Sequence, residues 1–393
     1  MERIGIFGGS FNPPHIGHIR AAGYAVESLQ LTKLLMIPSC ISPHKKLPQN
    51  SPTPEQRMEM LQLAVGNDEK IEISDLELRR GSTSYTYETV AEVRKLYPNA
   101  EILLFMGTDM FLCFDSWKNP DQILQNAALA VFYRGDRDEI PKIEEKKKFF
   151  EENGAKVYLV ENPVTEISST DLRRMLVFDC ASPFLTPGIQ EYIQAYRLYG
   201  AGKNYQNLPI EELETVVTAL LKPSRVAHVL GCRQTAKELA ELYGADPTDA
   251  QRAALLHDIS KALDGPLQLT LCAEYGINLD DFSAQNPKTL HALTGSLIAQ
   301  RIFGENKAVV DAIRSHTTGK ADMNALEKII YVADYMEPNR DFPGVEQLRQ
   351  LAYTDLDGAL KLGLTMTLQL LKEQGRDISP ESLQALEFLS KKE

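Results

Sequence analysis

The hydrophobic pattern of this 393-residue chain changes character once, and the change divides the chain into two domains of different class. Before residue 200, short apolar runs alternate with stretches of helical periodicity, which is typical of a doubly wound, mostly parallel α/β sheet. Beyond that point strand patterns disappear. The stretch 199–209 is rich in Gly, Asn and Pro and lacks periodicity, as interdomain segments do. We therefore expect a Rossmann-like α/β domain over 1–202, a linker over 203–209 and an all-α bundle over 210–393, a length that suits two domains.

The same patterns predict individual elements. Strands are predicted at 3–7, 34–38, 71–74, 102–106, 128–133 and 157–160. Helices of the first domain are predicted near 16–29, 54–65, 84–96, 119–126, 138–152, 168–177 and 188–199. Helices of the second domain are predicted near 210–221, 224–243, 247–260, 288–303, 306–316, 324–336, 355–374 and 380–391.

Composition narrows the class of partner. The net charge is −12 and both halves are acidic, which disfavours nucleic acid as a partner but leaves small nucleotides open. The five cysteines form no C-x-x-C pair, as expected of reduced thiols in a cytoplasmic protein. The chain starts without the pattern of a signal peptide, and no apolar run approaches the roughly 20 residues that span a bilayer. A cytoplasmic protein without a membrane partner is expected, and a homo-oligomer is possible.

The first candidate site follows the first predicted strand. The sequence Gly8-Gly9-Ser10-Phe11 lies between that strand and a helix, where glycines let the backbone approach a phosphate and the helix N-terminus supplies free N–H groups. His15 and His18 share a face of the first helical turn. Two imidazoles beside such a loop can stabilise charge on a transferring phosphoryl group.

A second segment suggests a further anion site. Ser168, Ser169 and Thr170 place hydroxyls at a helix N-terminus, and Arg173 follows on the next turn. Together they can clamp an anion.

With G-x-F-x-P-P-H-x-G-H followed by I-S-S-T-x-L-R, the first domain resembles the H-x-G-H nucleotidyltransferases, and among them the bacterial nicotinate-mononucleotide adenylyltransferases. The segments Pro43-His44-Lys45, Ser84-Tyr85-Thr86, Gly107-Thr108-Asp109 and the single tryptophan, Trp117, are similar to segments of that family. Arg134-Gly135-Asp136 departs from it, because relatives have Arg-Pro-Gly in the loop near the adenine.

The resemblance implies transfer of AMP from ATP to nicotinate mononucleotide, with Mg²⁺ and without a covalent intermediate. It assigns the reacting phosphates to His15 and His18, and the triphosphate to Lys45, Ser169 and Arg173. Gly8 and Asp109 are expected to contact the adenosine, and Thr86 and Trp117 the nicotinate. The remaining binding residues it implies are Gly9, Ser10, Phe11, Arg134, Ser168 and Thr170. The rival interpretation is another adenylyltransferase, for example one that acts on phosphopantetheine.

The second candidate site comes from the remaining histidines. Each member of this set lies on, or at the end of, a different predicted helix, and a bundle can aim such side chains into its core: His228, His257 with Asp258, His291, His316 and Asp334. Nitrogen and oxygen ligands without cysteine suit Fe, Mn, Mg or Zn. A buried His-Asp pair is costly unless something satisfies it.

The order H…HD…H…H…D resembles the dinuclear HD-domain phosphohydrolases. The segments His257-Asp258-x-x-Lys261, His316-Thr317-Thr318-Gly319 and 331–340 are similar to those of bacterial HD hydrolases of the YqeK type. The resemblance implies symmetrical hydrolysis of diadenosine tetraphosphate to two ADP with a metal pair, iron being the first choice and manganese or another divalent metal the alternative. It places His228, His257, Asp258 and Asp334 on one metal and His291 and His316 on the other, with Asp258 bridging. Lys261, Thr317 and Arg340 are candidates for phosphate contacts.

Two alternatives stay open for the second domain. One is a different hydrolysis, such as nucleotidase or cyclic-dinucleotide phosphodiesterase activity. The other is a catalytically idle module that senses nucleotides. The sequence therefore predicts a bifunctional enzyme with an adenylyltransferase followed by a metal-dependent phosphohydrolase.

Overall fold

A computed structural model describes residues 1–41, 47–48, 51–133, 139–162 and 167–391. Its contacts divide the chain into two compact units. The first consists of Met1–Val177 and Ala181–Gly202, and the second of Phe178–Cys180 and Lys203–Glu393. The bounds of the linker at 203–209 stay a prediction.

The first unit is built on a parallel six-stranded sheet with the order β3-β2-β1-β4-β5-β6. Its strands are β1 (Arg3–Gly9), β2 (Lys33–Pro38), β3 (Ile71–Ile73), β4 (Glu101–Gly107), β5 (Ala128–Tyr133) and β6 (Val157–Glu161). β1 pairs in parallel with both β2 and β4, so the strand order reverses between β1 and β4. In open α/β sheets ligands bind at this switch point, outside the carboxyl ends of the strands. The predicted phosphate loop follows β1 and therefore lies there.

The helices of the first unit are α1 (Ile16–Ser28), α2 (Pro54–Val65), α3 (Leu76–Arg80), α4 (Thr86–Leu96), α5 (Thr108–Leu112), α6 (Pro120–Asn126), α7 (Ile140–Glu152), α8 (Ser169–Val177) and α9 (Pro187–Ala195). The six predicted strands and the doubly wound class are confirmed. The pattern missed α3 and α5, because five residues are too few to show helical periodicity.

Both faces of the sheet are covered, which explains the continuous apolar runs of its strands. On β4, Ile102 and Leu104 pack into one apolar cluster and Leu103 and Phe105 into another. Gly5 of β1 has no room for a side chain, because an ideal Cβ would lie 2.5 Å from Leu34 Cδ1.

In its described residues, the second unit consists of helices and the segments that connect them, with no strand. Its helices are α10 (Ile210–Leu220), α11 (Pro223–Tyr243), α12 (Pro247–Leu256), α13 (Gly265–Glu274), α14 (Asp281–Gln285), α15 (Leu290–Arg301), α16 (Lys307–Ser315), α17 (Ala325–Met336), α18 (Val345–Ala352), α19 (Leu356–Glu373) and α20 (Pro380–Ser390). The predicted all-α class is confirmed. The pattern missed α13, α14 and α18. α13 opens with Gly265-Pro266, which is usually a turn signal, but Asp264 caps it by accepting a hydrogen bond from the Leu267 N–H.

In the described part of the chain, no helix combines the length and the apolar character that crossing a membrane requires.

Candidate active sites

A buried arginine hydrogen-bonds to the loop after β1. Arg57 of α2 is fully buried, and its guanidinium donates to the Ser10 carbonyl and to the Ser39 carbonyl, each at 2.7 Å. Such charge-assisted bonds are stronger than neutral ones, so Arg57 ties the loop to the end of β2. Sequence reasoning missed this residue, because one arginine on an amphipathic helix has the pattern of a solvated surface charge.

The second predicted segment also contacts this loop. Arg173 Nη1 donates to the Asn12 carbonyl at 2.7 Å, and Ser169 Oγ donates to the Pro13 carbonyl at 3.0 Å. The Tyr199 hydroxyl donates to Asn12 Oδ1 at 2.8 Å. The structure thus brings together two motifs that are more than 150 residues apart in the sequence.

His15 and His18 stack on each other at the start of α1. Their ring centroids are 3.7 Å apart with an interplanar angle of 31°. The His15 backbone N–H donates to His18 Nδ1 at 3.2 Å, so that nitrogen accepts. A neutral His18 therefore carries its proton on Nε2, which leaves Nε2 as a hydrogen-bond donor.

Burial keeps both imidazoles neutral near pH 7. It lowers the pKa of His15 to about 4. It also lowers the pKa of His18 well below the usual value, and the neighbouring His15 lowers it further. Desolvation penalises the charged form of a histidine, which accounts for the direction. The pair can thus offer N–H donors to a phosphate without a fixed positive charge.

A pocket of about 930 Å³ opens in front of these histidines. The predicted residues that line it are Ser10, His15, His18, Asp109, Ser168, Ser169, Thr170 and Arg173. Phe11 is instead buried against His18, with ring centroids 5.1 Å apart. Gly9 accommodates that ring, since an ideal Cβ would lie 3.0 Å from it. Gly8 precedes Gly9 at the end of β1, with open space at its Cβ position.

Other predicted residues lie elsewhere. Thr86 begins α4 and does not line the pocket. Trp117 packs against Phe114, with ring centroids 5.3 Å apart, at the edge of an apolar cluster. Their contacts to the nicotinate stay predictions. His44, Lys45 and Arg134 lie outside the described residues.

The neutral state of His15 predicts a pH effect on the first unit. Its pKa is about 4 when folded and about 6.5 when unfolded, so between these values the unfolded chain binds the extra proton. Stability is therefore retained above pH 6.5 and falls as the pH drops toward 4. The fall for this residue is about 3 kcal/mol at about 1.4 kcal/mol per pKa unit. We expect His15→Gln to be less sensitive over this range.

Urea unfolding followed by fluorescence would measure this, since the single tryptophan lies in the first unit. Equal slopes of unfolding free energy against pH in both proteins would contradict the prediction.

The second site is a ring of four histidines. Neighbouring imidazoles in this set meet edge to face. Their centroids are 5.3 Å apart for His228 and His257, 5.0 Å for His257 and His316, and 5.1 Å for His291 and His316. All four are buried. They come from α11, the end of α12, α15 and the end of α16, as the sequence predicts.

Asp258 lies at the centre of this ring and divides it. Its Oδ2 is 3.6 Å from Nε2 of both His228 and His257. Its Oδ1 faces the other pair, 3.7 Å from His291 Nε2 and 3.9 Å from His316 Nε2. Asp334 adds an oxygen to the first pair only, with Oδ1 3.1 Å from His228 Nε2. The structure thus brings the six predicted residues together, and their division between two metals stays a prediction.

The donor set is chemically suited to a divalent metal ion. Four imidazole nitrogens and two carboxylates converge, and the buried Asp258 Oδ2 accepts no hydrogen bond, although Arg225 Nη1 forms an ion pair with it at 3.1 Å. Arg225 compensates the charge of this buried oxygen in the structure, and a metal ion held by the carboxylates and imidazoles would take the same role. The site is thus able to hold metal, and a bridging carboxylate is available.

Three histidines are oriented by backbone carbonyls. Nδ1 of His257, His291 and His316 each donates to the carbonyl three residues earlier, at 2.7, 2.9 and 2.7 Å. This contact fixes the tautomer and leaves Nε2 unprotonated, as a ligand atom must be. The local turn at each position therefore aims the ring inward.

Lys261 and Arg340, which are predicted to contact phosphate, lie against the carboxylates of Asp258 and Asp334. Lys261 Nζ lies 3.0 Å from Asp258 Oδ1, and Arg340 Nη2 lies 2.6 Å from Asp334 Oδ1. The Thr317 hydroxyl lies 3.1 Å from His291 Nε2 and 3.2 Å from His316 Nε2. Phosphate contacts for these three residues stay predictions.

Two further residues, which sequence reasoning missed, contact this cluster. Glu337 Oε1 accepts from His228 Nδ1 at 3.1 Å. Cys232, one turn after His228, lies 3.8 Å from His228 Nε2 and belongs to a group with His228, His257 and Asp334 whose donor atoms lie within 4.8 Å of one another. The predicted ligand set did not include Cys232. Its i, i+4 spacing from His228 was the available signal.

Comparison with known proteins finds two families along the chain. A cytidylyltransferase-like family model matches residues 6–175, and an HD domain model matches residues 225–339. A protein of Borreliella burgdorferi named "Probable nicotinate-nucleotide adenylyltransferase" is 35% identical over 50% of this chain and 96% of its own length. A protein of Halalkalibacterium halodurans named "Bis(5'-nucleosyl)-tetraphosphatase, symmetrical" is 42% identical over 42% of this chain and 90% of its own length.

Among solved structures, a "predicted HD superfamily hydrolase involved in NAD metabolism" from Clostridium acetobutylicum is 34% identical. The match covers 47% of this chain and 99% of that one, with a TM-score of 0.46. The sequence comparisons confirm the resemblances that both sets of motifs indicated. The chain belongs to the cytidylyltransferase-like family through residues 6–175 and to the HD domain family through residues 225–339.

Proposed function

We propose that the chain is a bifunctional enzyme of nucleotide metabolism. The first unit transfers AMP from ATP to nicotinate mononucleotide, giving deamido-NAD and pyrophosphate. The second unit hydrolyses diadenosine tetraphosphate symmetrically to two ADP. The observation that supports this best is the presence of one constellation of candidate residues in each unit, each unit being matched by relatives that the chain covers over at least 90% of their length.

In the first reaction, a phosphate oxygen of nicotinate mononucleotide attacks the α-phosphorus of ATP. The bond from that phosphorus to the α–β bridging oxygen breaks, and pyrophosphate leaves. A Mg²⁺ ion bound with the ATP would supply charge that compensates the pyrophosphate. His18 offers Nε2–H to the charge that develops at the reacting centre, and His15 lines the same pocket. Because both are neutral before substrate binds, they give hydrogen bonds rather than fixed charge. Ser169 and Arg173 hold the loop and flank the phosphates.

In the second unit, HD domain membership implies a divalent metal. We propose a pair, with iron as the first candidate and manganese as the alternative. His228, His257 and Asp334 would hold one ion, His291 and His316 the other, and Asp258 both. When bound, the pair supplies the charge that activates a water and neutralises the attacked phosphate. One water adds across the central P–O–P bridge and two ADP result.

The residues around the carboxylates set their orientation. Arg340 donates from Nε to the Asp334 carbonyl at 2.9 Å and from Nη2 to Oδ1, so it fixes the side chain against its own helix. Lys261 and Arg225 lie on opposite oxygens of Asp258. If metal ions displaced Lys261 and Arg225 from the Asp258 carboxylate, these two side chains would be free to contact the phosphates of a substrate.

Metal content tests the dinuclear arrangement. We expect the full-length protein, purified without oxygen and supplied with Fe²⁺ or Mn²⁺, to hold two ions per chain. His291→Ala should hold one, because the His228, His257 and Asp334 side remains. Elemental analysis after removal of free metal measures both. One ion or fewer per folded wild-type chain would contradict the pair.

Product analysis tests the two reactions. ATP is incubated in turn with nicotinate mononucleotide, nicotinamide mononucleotide and phosphopantetheine. We expect a dinucleotide to form with nicotinate mononucleotide. Formation of product only from the pantetheine substrate would favour the rival adenylyltransferase. A panel of dinucleoside polyphosphates, mononucleotides and cyclic dinucleotides should show ADP from diadenosine tetraphosphate. Binding without turnover would instead indicate a sensing module.

A further inference from the structure

One histidine of the ring is held differently from the other three. His228 donates from Nδ1 to a carboxylate, Glu337 Oε1 at 3.1 Å, whereas the others donate to backbone carbonyls. Glu337 is 1% exposed. A buried carboxylate behind a metal-binding imidazole strengthens the ligand and fixes its tautomer. A neutral backbone carbonyl strengthens the imidazole less than a carboxylate does.

The second oxygen of Glu337 is fully satisfied as well. Glu337 Oε2 accepts from the backbone N–H of Asn339 and from Asn339 Nδ2, both at 2.8 Å. Asn339 Nδ2 also donates to the Ala227 carbonyl, next to His228, at 3.1 Å. Glu337 is therefore held rigidly, with Oε1 aimed at one ring nitrogen.

The helix that carries His228 leaves space for this carboxylate. Gly231 is three residues after His228 on α11, and an ideal Cβ at Gly231 would lie 2.2 Å from Glu337 Oε2. Any other residue at this position would push Glu337 away. Glycine in a helix interior costs up to about 1 kcal/mol relative to alanine, so the space serves the approach of Glu337.

This contact makes the two halves of the ring unequal. The His228 side has the oxygens of Asp334 and Asp258, with Glu337 behind it. The His291 side shares only Asp258 Oδ1, beside which Lys261 Nζ lies 3.0 Å away. Of the described residues with contacts to the ring, the carboxylates other than the bridging one lie on the His228 side.

We propose that Glu337 is a positioning residue that makes the His228 side the tighter of two metal positions, so that this side fills first. The proposal rests on the dinuclear site of the proposed function. It assigns Glu337 no contact with substrate or metal. It acts through His228 Nδ1.

Titration with Mn²⁺ tests the order of filling. Binding of Mn²⁺ to the full-length, metal-free protein, followed by electron paramagnetic resonance of the free ion, should show one tight and one weaker step. Glu337→Gln keeps the shape and removes the charge. We expect it to weaken the tight step by about 10–100-fold and to leave the weaker step unchanged. In the His291→Ala background, where only the His228 side remains, Glu337→Gln should weaken the single remaining step by the same factor.

Matched variants separate this role from a general effect on folding. Glu327 on α17 is also 1% exposed but forms a capping box with Asn324, so Glu327→Gln should leave both steps unchanged. Gly231→Ala should reproduce Glu337→Gln, because its methyl group displaces the carboxylate. Circular dichroism confirms that each variant is folded.

Two outcomes would overturn the inference. One is an equal loss at both steps in Glu337→Gln, and the other is no loss at either. A wild-type protein that binds fewer than two Mn²⁺ ions would instead overturn the dinuclear function itself, so the two failures are distinguishable.

Discussion

Replacing Asp258 with alanine should abolish hydrolysis of diadenosine tetraphosphate and leave adenylyl transfer intact. Asp258 is the residue whose two oxygens face the two halves of the histidine ring, so its loss removes the bridge. Charge stabilisation by metals amounts to several kcal/mol, and about 1.4 kcal/mol corresponds to a factor of ten in rate. We therefore expect a fall in kcat of about a thousandfold or more. Initial rates of ADP release measure it.

Two variants control this experiment. Asp258→Asn keeps the volume and should lose activity as well, since the missing charge is the cause. Asp249 lies on α12, the helix that precedes Asp258, and accepts a hydrogen bond from Asn306, so Asp249→Asn should retain hydrolysis. If Asp258→Ala lost both activities together in a folded protein, the two reactions would not be independent.

Replacing His18 with alanine should have the opposite effect: adenylyl transfer should fall and hydrolysis of diadenosine tetraphosphate should remain. His18 carries its proton on Nε2 because its Nδ1 accepts from the His15 N–H. Removing one preorganised donor to a developing negative charge typically lowers kcat by about 10²–10³-fold. We expect a loss of that size in formation of deamido-NAD, with the KM for ATP much less affected. Steady-state assays with nicotinate mononucleotide measure both constants.

Hydrolysis of diadenosine tetraphosphate is the internal control for His18→Ala and should be unchanged. Because His18 also packs on Phe11, fluorescence of Trp117 should confirm that the first unit remains folded. A variant that keeps its kcat while its KM for ATP rises would contradict the assigned role. His18 would then contribute to ground-state binding only.

The sequence predicted much of the fold because local pattern and tertiary environment agree. A strand such as β4 is buried on both faces, so its five central residues form one apolar run that is visible without the structure. The failures have a local cause. α5 has five residues, and α13 begins with a glycine and a proline, so neither shows a helical signal of its own.

The residues that support the sites were less visible. Arg57 and Glu337 each look like an ordinary surface charge, and only the fold buries them. Arg57 gains its role from the carbonyls of Ser10 and Ser39, which lie on other segments. Glu337 gains its role from His228, 109 residues earlier. No periodicity records a contact between distant segments.

The sequence by itself determined the two classes of domain and indicated candidate residues for each site, because alternating apolar runs and spaced histidines are local properties of the chain. The tertiary structure decided which atoms face each other. It packs the His15 ring against the His18 ring, and it places the His15 N–H against His18 Nδ1, which fixes the tautomer of His18. It turns the two oxygens of Asp258 toward different histidine pairs. These arrangements depend on the packing of separate helices and strands, and that packing exists only once the chain has folded.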